Sequence, residues 1–219
     1  MRINAEKGFE PALELDEDVA LVGNSGRLAG SGRGREIDSH AEVVRFNWAV
    51  TRGHEADVGR RTTIRYMEVK EKTVNRKFPD WTPERQDLHI ASHIPCPVLV
   101  TTCEEERMAR LRAILEARGL DVRKHKMIWP ADQVSCNAFL KKLGVGVAIG
   151  GHPRTGFSFS LALVGAGAHP FLYGFDHLPA EEVQTHYFDE TRHRSRFHDF
   201  EGERMALYEL WAMGRLTLR

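Results

Sequence analysis

The sequence predicts an α/β fold: a mostly parallel central sheet with helices on both faces. Three observations carry this. Short apolar runs recur along the whole chain, amphipathic segments of helical spacing separate them, and the first run ends in a glycine-rich turn. In such sheets ligands bind beyond the carboxyl ends of strands, beside helix N-termini.

The elements follow in order. Val19-Ala20-Leu21-Val22 is an unbroken apolar run stopped by Gly23, the pattern of a strand buried on both faces. Val43-Val44-Arg45-Phe46 reads as the second strand, and 62–67, 88–91 and 97–101 as further strands. Residues 70–87 are polar and punctuated by proline, a surface excursion. Over 103–118, Met108, Leu111 and Leu115 lie on one helical face, and Gly119 stops that helix. A short strand is expected at 127–129 and a helix over 134–143, while 147–149 leads into the turn Gly150-Gly151. Residues 155–168 are apolar and rich in small side chains, a buried helix, and 171–173 form another buried strand. An amphipathic helix over 202–213 closes the chain.

With 219 residues the chain suits one domain, expected over 16–219 after a polar segment at 1–15. Lys+Arg and Asp+Glu are each 31, so formal net charge is zero, which argues against nucleic acid or an anionic membrane as the principal partner. No window approaches the roughly 18 apolar residues of a membrane span. Glu6, Lys7, Glu10, Glu14, Asp16, Glu17 and Asp18 would interrupt a leader's apolar core. Cys96, Cys103 and Cys136 are odd in number and have no paired spacing, so the expected setting is a reducing cytoplasm, at most peripheral to an inner membrane.

The segment from Val22 to Gly34, Val-Gly-Asn-Ser-Gly-Arg-Leu-Ala-Gly-Ser-Gly-Arg-Gly, follows the first strand. Glycines let main-chain N–H groups approach an anion, and Asn24, Ser25 and Ser31 add polar side chains. The segment is neither a P-loop, lacking Gly-Lys-Ser/Thr, nor a Gly-x-Gly-x-x-Gly dinucleotide turn. By itself it fits a phosphate cradle and a plain exposed turn equally well.

Its flanks are more specific. Val22-Gly23-Asn24-Ser25-Gly26, then Gly30-Ser31-Gly32-x-Gly34-x-Glu36-Ile37-Asp38-Ser39-His40, Val44-Arg45-Phe46-Asn47 and Asp57-Val58-Gly59-x-Arg61-Thr62-Thr63 closely resemble sialylmotif L of the animal-type sialyltransferases. Three shorter blocks follow in that family's order: Pro153-Arg154-Thr155-Gly156 with Tyr173-Gly174-Phe175 resembles motif S, His186-Tyr187-Phe188-Asp189 motif III, and His198 with Glu203 motif VS.

The resemblance implies a modified Rossmann-like (variant GT-A) fold. It also implies an inverting transfer of sialic acid from CMP-sialic acid to an acceptor glycan hydroxyl, with no cofactor or metal. By motif position Asn24 and Asn47 contact nucleotide phosphate and ribose, Ser25 and Gly26 line the same pocket, and Thr155 and Gly156 meet the cytidine side. His198 is the proposed base, His186 contacts the donor phosphate, and Glu203 is a structural or orienting partner. An imidazole suits a base at neutral pH, and a protonated one would offset charge on departing CMP. Glu36 and Asp38 are read as scaffold.

Some features depart from the family. The animal disulfide between motifs L and S would fall at Val19 and about Gly167, and Arg154 replaces the small hydroxyl residue usual before Thr-Gly. A bacterial-type soluble homologue acting on a surface polysaccharide or lipid-linked precursor is the expectation. The alternatives are a CMP-Kdo-type 2-keto sugar transferase and a non-catalytic nucleotide-binding module. His177, His186, His193 and His198 cluster in sequence without a zinc-hydrolase pattern, and no metal site is expected. The basic residues of 107–126 read as a solvated helix face. Arg192, Arg194 and Arg196 are better placed to grip an anion.

Overall fold

A computed structural model describes residues 2–3, 9–10, 13–94, 96, 98–101, 104–120, 123–127, 132–175, 186–188 and 197–219. A two-residue pairing of β1 (Arg2–Ile3) with β3 (Leu13–Glu14) precedes the main sheet. That sheet is built from β2 (Phe9–Glu10), β4 (Val19–Val22), β5 (Glu42–Phe46), β6 (Ile64–Met67), β7 (Val98–Thr101), β8 (Arg123–Met127), β9 (Phe171–Tyr173) and β10 (Thr217–Leu218). Its order is β10-β9-β4-β5-β6-β7-β8-β2, parallel throughout except for β2 against β8. The helices are α1 (Gly34–Ser39), α2 (Glu55–Val58), α3 (Glu71–Lys77), α4 (Pro83–Ser92), α5 (Glu105–Glu116), α6 (Gln133–Lys142), α7 (Thr155–Gly165) and α8 (Phe200–Ala212).

Side chains alternate across the sheet, as the period of a strand requires. Val19, Leu21, Val44, Phe46 and Leu172 face one side, where Phe157, Phe159, Leu161 and Leu163 of α7 lie between the sheet and residues of α6 and α8. Every residue from Phe157 to Val164 is buried, which is why this helix carries only apolar residues and small serines there. Ala20, Val22, Val43 and Tyr173 face the other side, against Leu28, Ile37 of α1, Val58 of α2 and Tyr187. The crossover from β4 to β5 thus runs on one face, whereas the helix leading to β9 packs on the opposite one. The strand order reverses between β4 and β9, which run parallel, the position where a doubly wound sheet opens a crevice.

Several expectations from sequence need correction. Residues 88–91 belong to α4, not a strand. Thr82 caps that helix by accepting from the Arg85 N–H, Pro83 starts it, and Ile90 and Ala91 are buried while Leu88 is exposed. Residues 70–87 are largely exposed, as expected, but they form helices rather than an irregular loop: α3 buries Val74, and α4 buries Gln86 and Asp87. Arg107 is not on a solvated face. It is buried, donates to Gln86 and lies 3.5 Å from the equally buried Asp87, which Arg110 also engages. The expected strand at 127–129 begins earlier, as β8 ends at Met127 and 128–129 lie outside the described residues. Leu13 and Leu15, in the segment read as a polar lead-in, join the core.

Candidate active site

The carboxyl ends of β4, β5 and β9 converge with the N-terminus of α7. Gly23 donates its N–H to the Tyr173 carbonyl at 2.8 Å, and a Cβ there would meet the Gly174 oxygen at 2.4 Å. Only glycine lets the two strand ends close up so far. Asn24 then spans the crevice. Its Nδ2 donates to the Phe46 carbonyl at 3.3 Å, and its Oδ1 is buried with no partner among the described residues. A buried amide oxygen left unsatisfied is costly, and a hydroxyl of a bound ligand would satisfy it.

Asn47 caps β5 in a left-handed conformation, φ 50°, the only non-glycine residue among those described with positive φ. Asparagine tolerates that region because its short amide bonds locally. Here Oδ1 accepts from the Glu68 N–H. Thr155 and Gly156, both half-buried, open α7, where main-chain N–H groups lack helical partners. A Cβ on Gly156 would come 3.0 Å from the Phe175 ring and 3.6 Å from that of Phe46, so this helix end is wedged onto the tips of β9 and β5.

Ser25 and Gly26 form a 3-10 turn, Gly26–Leu28, in which the Ser25 hydroxyl accepts from Arg27 N–H and Gly26 is buried. The later glycines are exposed, but their N–H groups are committed within the protein rather than forming an open phosphate cradle. Gly30 and Gly32 both donate their N–H groups to the Asp57 carboxylate at 2.8 Å, and the Ser31 hydroxyl donates to the Asp57 carbonyl. These two hydrogen bonds, Gly32's first, hold the Asp57 carboxyl below its ordinary range. Asp38 acts as scaffold, accepting from the main chain of Arg60 and Arg61, and Glu36 accepts from the Tyr173 hydroxyl.

Main-chain groups tether the segments that carry the motif histidines. Tyr187 N–H donates to the Asn24 carbonyl at 3.1 Å, which brings His186, stacked parallel on Phe188, beside the end of β4. On the other side, residues 197–199 clasp the approach to α7. His152 N–H donates to the Phe197 carbonyl, and Gly150 N–H to the Asp199 carboxylate. His198 Nδ1 sits 2.7 Å from the His152 carbonyl oxygen. A carbonyl can only accept, so Nδ1 carries the proton, and the neutral ring keeps Nε2 as its basic nitrogen.

Glu203 is fully buried in α8 and accepts from Arg154 three times: main-chain N–H at 2.8 Å, Nε at 2.6 Å and Nη2 at 2.6 Å. Arg154 is the N-cap residue of α7, so Glu203 fixes the start of the helix carrying Thr155 and Gly156. The sequence flagged both residues separately; their pairing across 49 positions was not visible in it. His177, His193, Arg192, Arg194 and Arg196 lie outside the described residues, and no cluster of metal-ligating side chains occurs among the described ones.

The model of glycosyltransferase family 29 (sialyltransferase) matches residues 17–215. The chain belongs to this family. It is 58% identical over 48 residues to the CMP-N-acetylneuraminate-beta-galactosamide-alpha-2,3-sialyltransferase 2 of Mus musculus, covering 22% of this chain and 14% of that protein. It is 56% identical over 64 residues to the beta-galactoside alpha-2,6-sialyltransferase 2 of Homo sapiens, covering 26% of this chain and 12% of that one. The matches therefore span only a small part of either relative. A crystal structure of a mammalian sialyltransferase aligns with TM-score 0.55 at 23% identity, over 92% of this chain and 68% of that one. A second, in complex with Gal-beta-1-3GalNAc-ortho-nitrophenol, gives 0.54 at 21% over the same shares. At these identities the likeness is one of fold: the family 29 member has the sialyltransferase α/β architecture in a single domain.

Proposed function

We propose that the chain transfers sialic acid from CMP-sialic acid to an acceptor glycan hydroxyl, with inversion and without a metal or cofactor. Asn24, Asn47, Ser25, Gly26, Thr155 and Gly156 hold the nucleotide at the β4–β9 crevice, with the unsatisfied Asn24 Oδ1 accepting from a donor hydroxyl. His198 Nε2 takes the acceptor proton as the new C–O bond forms at the anomeric carbon. The bond to the phosphate oxygen breaks, and CMP leaves with that electron pair. His186, when protonated, offsets the charge that builds on the phosphate. Glu203 touches neither partner and positions α7 through Arg154.

The observation that carries this reading is the His198 hydrogen bond to the His152 carbonyl, which selects the tautomer a general base requires. Purified protein incubated with CMP-sialic acid, CMP-Kdo and a panel of β-galactosides, bacterial surface glycans and lipid-linked precursors should release CMP and glycosylate one of them, in EDTA as well as without it. His198→Ala should lower that turnover by about 10²–10⁴-fold, the range for a lost acid–base group. Undiminished turnover in the variant would remove His198 from this role. Nucleotide binding without transfer to any acceptor would favour the binding-module alternative, and a strict preference for CMP-Kdo would replace the donor sugar.

A further inference from the structure

Two arginines lie inside the sheet. Arg45 of β5 and Arg65 of β6 are register partners, at 0% and 2% exposure. A buried cation is ordinarily neutralised by a carboxylate. Among the described residues neither of these is. Arg45 donates to the carbonyls of Val58 and Arg61 and to the Thr62 hydroxyl, and Asp38 acts on it only at a distance. Arg65 Nη1 donates to the Ala49 carbonyl at 3.1 Å and the Asn47 carbonyl at 3.3 Å. Arg45 Nη1 and Arg65 Nε are buried without an acceptor among the described residues. Burial lowers Arg65 to about 10, and Arg45 beside it pushes the same way, so Arg65 remains charged at neutral pH; burial lowers Arg45 as well.

The geometry ties Arg65 to the donor crevice. Its guanidinium holds the two carbonyls that flank Trp48 in the left-handed turn begun by Asn47. The next carbonyl, that of Val50, accepts from the Tyr187 hydroxyl, and Tyr187 in turn bonds Asn24 through its main chain. Three carbonyl dipoles that would repel an anion at this turn are therefore engaged by buried donors, with a cation behind them.

Resting on the donor reading above, we propose that Arg65 is a positioning residue of the donor site. It fixes the Asn47 turn and places an unneutralised charge beneath it, so that the site prefers a phosphate-bearing nucleotide to the neutral nucleoside.

Calorimetry of the full chain with CMP and with cytidine tests this. Arg65→Met, with folding checked by circular dichroism, should bind CMP about tenfold more weakly and cytidine within about twofold of the parent. Arg65→Lys, which keeps charge and loses the fork, should retain most of the CMP-to-cytidine preference. Parallel loss of both ligands in Arg65→Met, no loss of either, or a collapsed preference in Arg65→Lys would overturn the proposal. The unaltered protein provides a check that needs no variant. A buried charge is screened far less than a surface one, so its preference should persist within about threefold from 0.05 to 0.5 M salt. Disappearance of the preference over that range would assign it to exposed arginines instead. If the parent binds neither ligand, the donor reading fails and this inference fails with it. Binding of cytidine and CMP with equal affinity overturns only the charge assignment.

Discussion

Glu203→Gln isolates the ion pair that starts α7. The substitution keeps an oxygen able to accept from the Arg154 N–H, 2.8 Å away, but removes the charge facing Nε and Nη2 at 2.6 Å. Breaking a buried pair by removing one partner costs about 3–5 kcal/mol. The Glu203 side chain is fully enclosed whereas that of Arg154 is 21% exposed and can recruit water, so the lower end, about 3 kcal/mol, applies. For a chain of this size each kcal/mol moves the melting temperature by about 2–4 °C, giving a fall of about 6–12 °C. Thermal unfolding by circular dichroism measures it. The double variant Arg154→Met with Glu203→Gln should recover part of the loss, with a coupling of about 1–3 kcal/mol, because neither charge is then stranded. CMP affinity should drop in the single variant as the Thr155–Gly156 end loosens. A single variant that melts within about 1 °C of the parent, or single effects that simply add, would refute the reasoning that Glu203 acts through Arg154.

Further outcomes follow from other contacts. Gly156→Ala places a methyl 3.0 Å from the Phe175 ring; the ring must yield, and calorimetry should record weakened CMP binding with a stability loss of about 1–3 kcal/mol. Burial lowers both His89 and His93, with neighbouring cations adding. The folded state therefore resists protonation, stability stands in full above the unfolded value near 6.5, and it declines as pH falls below that. Melting curves from pH 7.5 to 5 should show the decline, and His89→Gln with His93→Gln should flatten it. Burial raises the Cys136 thiol to about 12, so maleimide at pH 8 should leave it unmodified in the native protein and label it after denaturation.

The first strand of the main sheet was legible because it is buried on both faces and thus apolar without interruption, Val19–Val22. The helix α7 was legible for the same reason. The stretch from 70 to 91 misled because α4 buries polar side chains: Asp87 is hidden by virtue of Arg107 and Arg110 on α5, partners that periodicity cannot supply. The Thr82-Pro83-Glu84 start signal of α4 was present in the sequence and outweighed by the apolar run after it. At the candidate site, Asn24 bonds the end of β5 through the Phe46 carbonyl, Tyr187 bonds Asn24, and His198 bonds the His152 carbonyl ahead of α7, contacts between segments that sequence spacing does not reveal. What stayed hidden was the division of labour within the glycine-rich segment, since it depends on a carboxylate 25 residues beyond Gly32.

That carboxylate, Asp57, has an implication for how a ligand meets the loop. The segment encloses an anion of its own making, bound by the same kind of main-chain donors that elsewhere grip a nucleotide. Its curvature is thus set during folding, before any nucleotide arrives. On the proposed donor reading, a nucleotide would encounter Asn24 and Ser25 already aligned, and its association would not be slowed by arranging a slack tether.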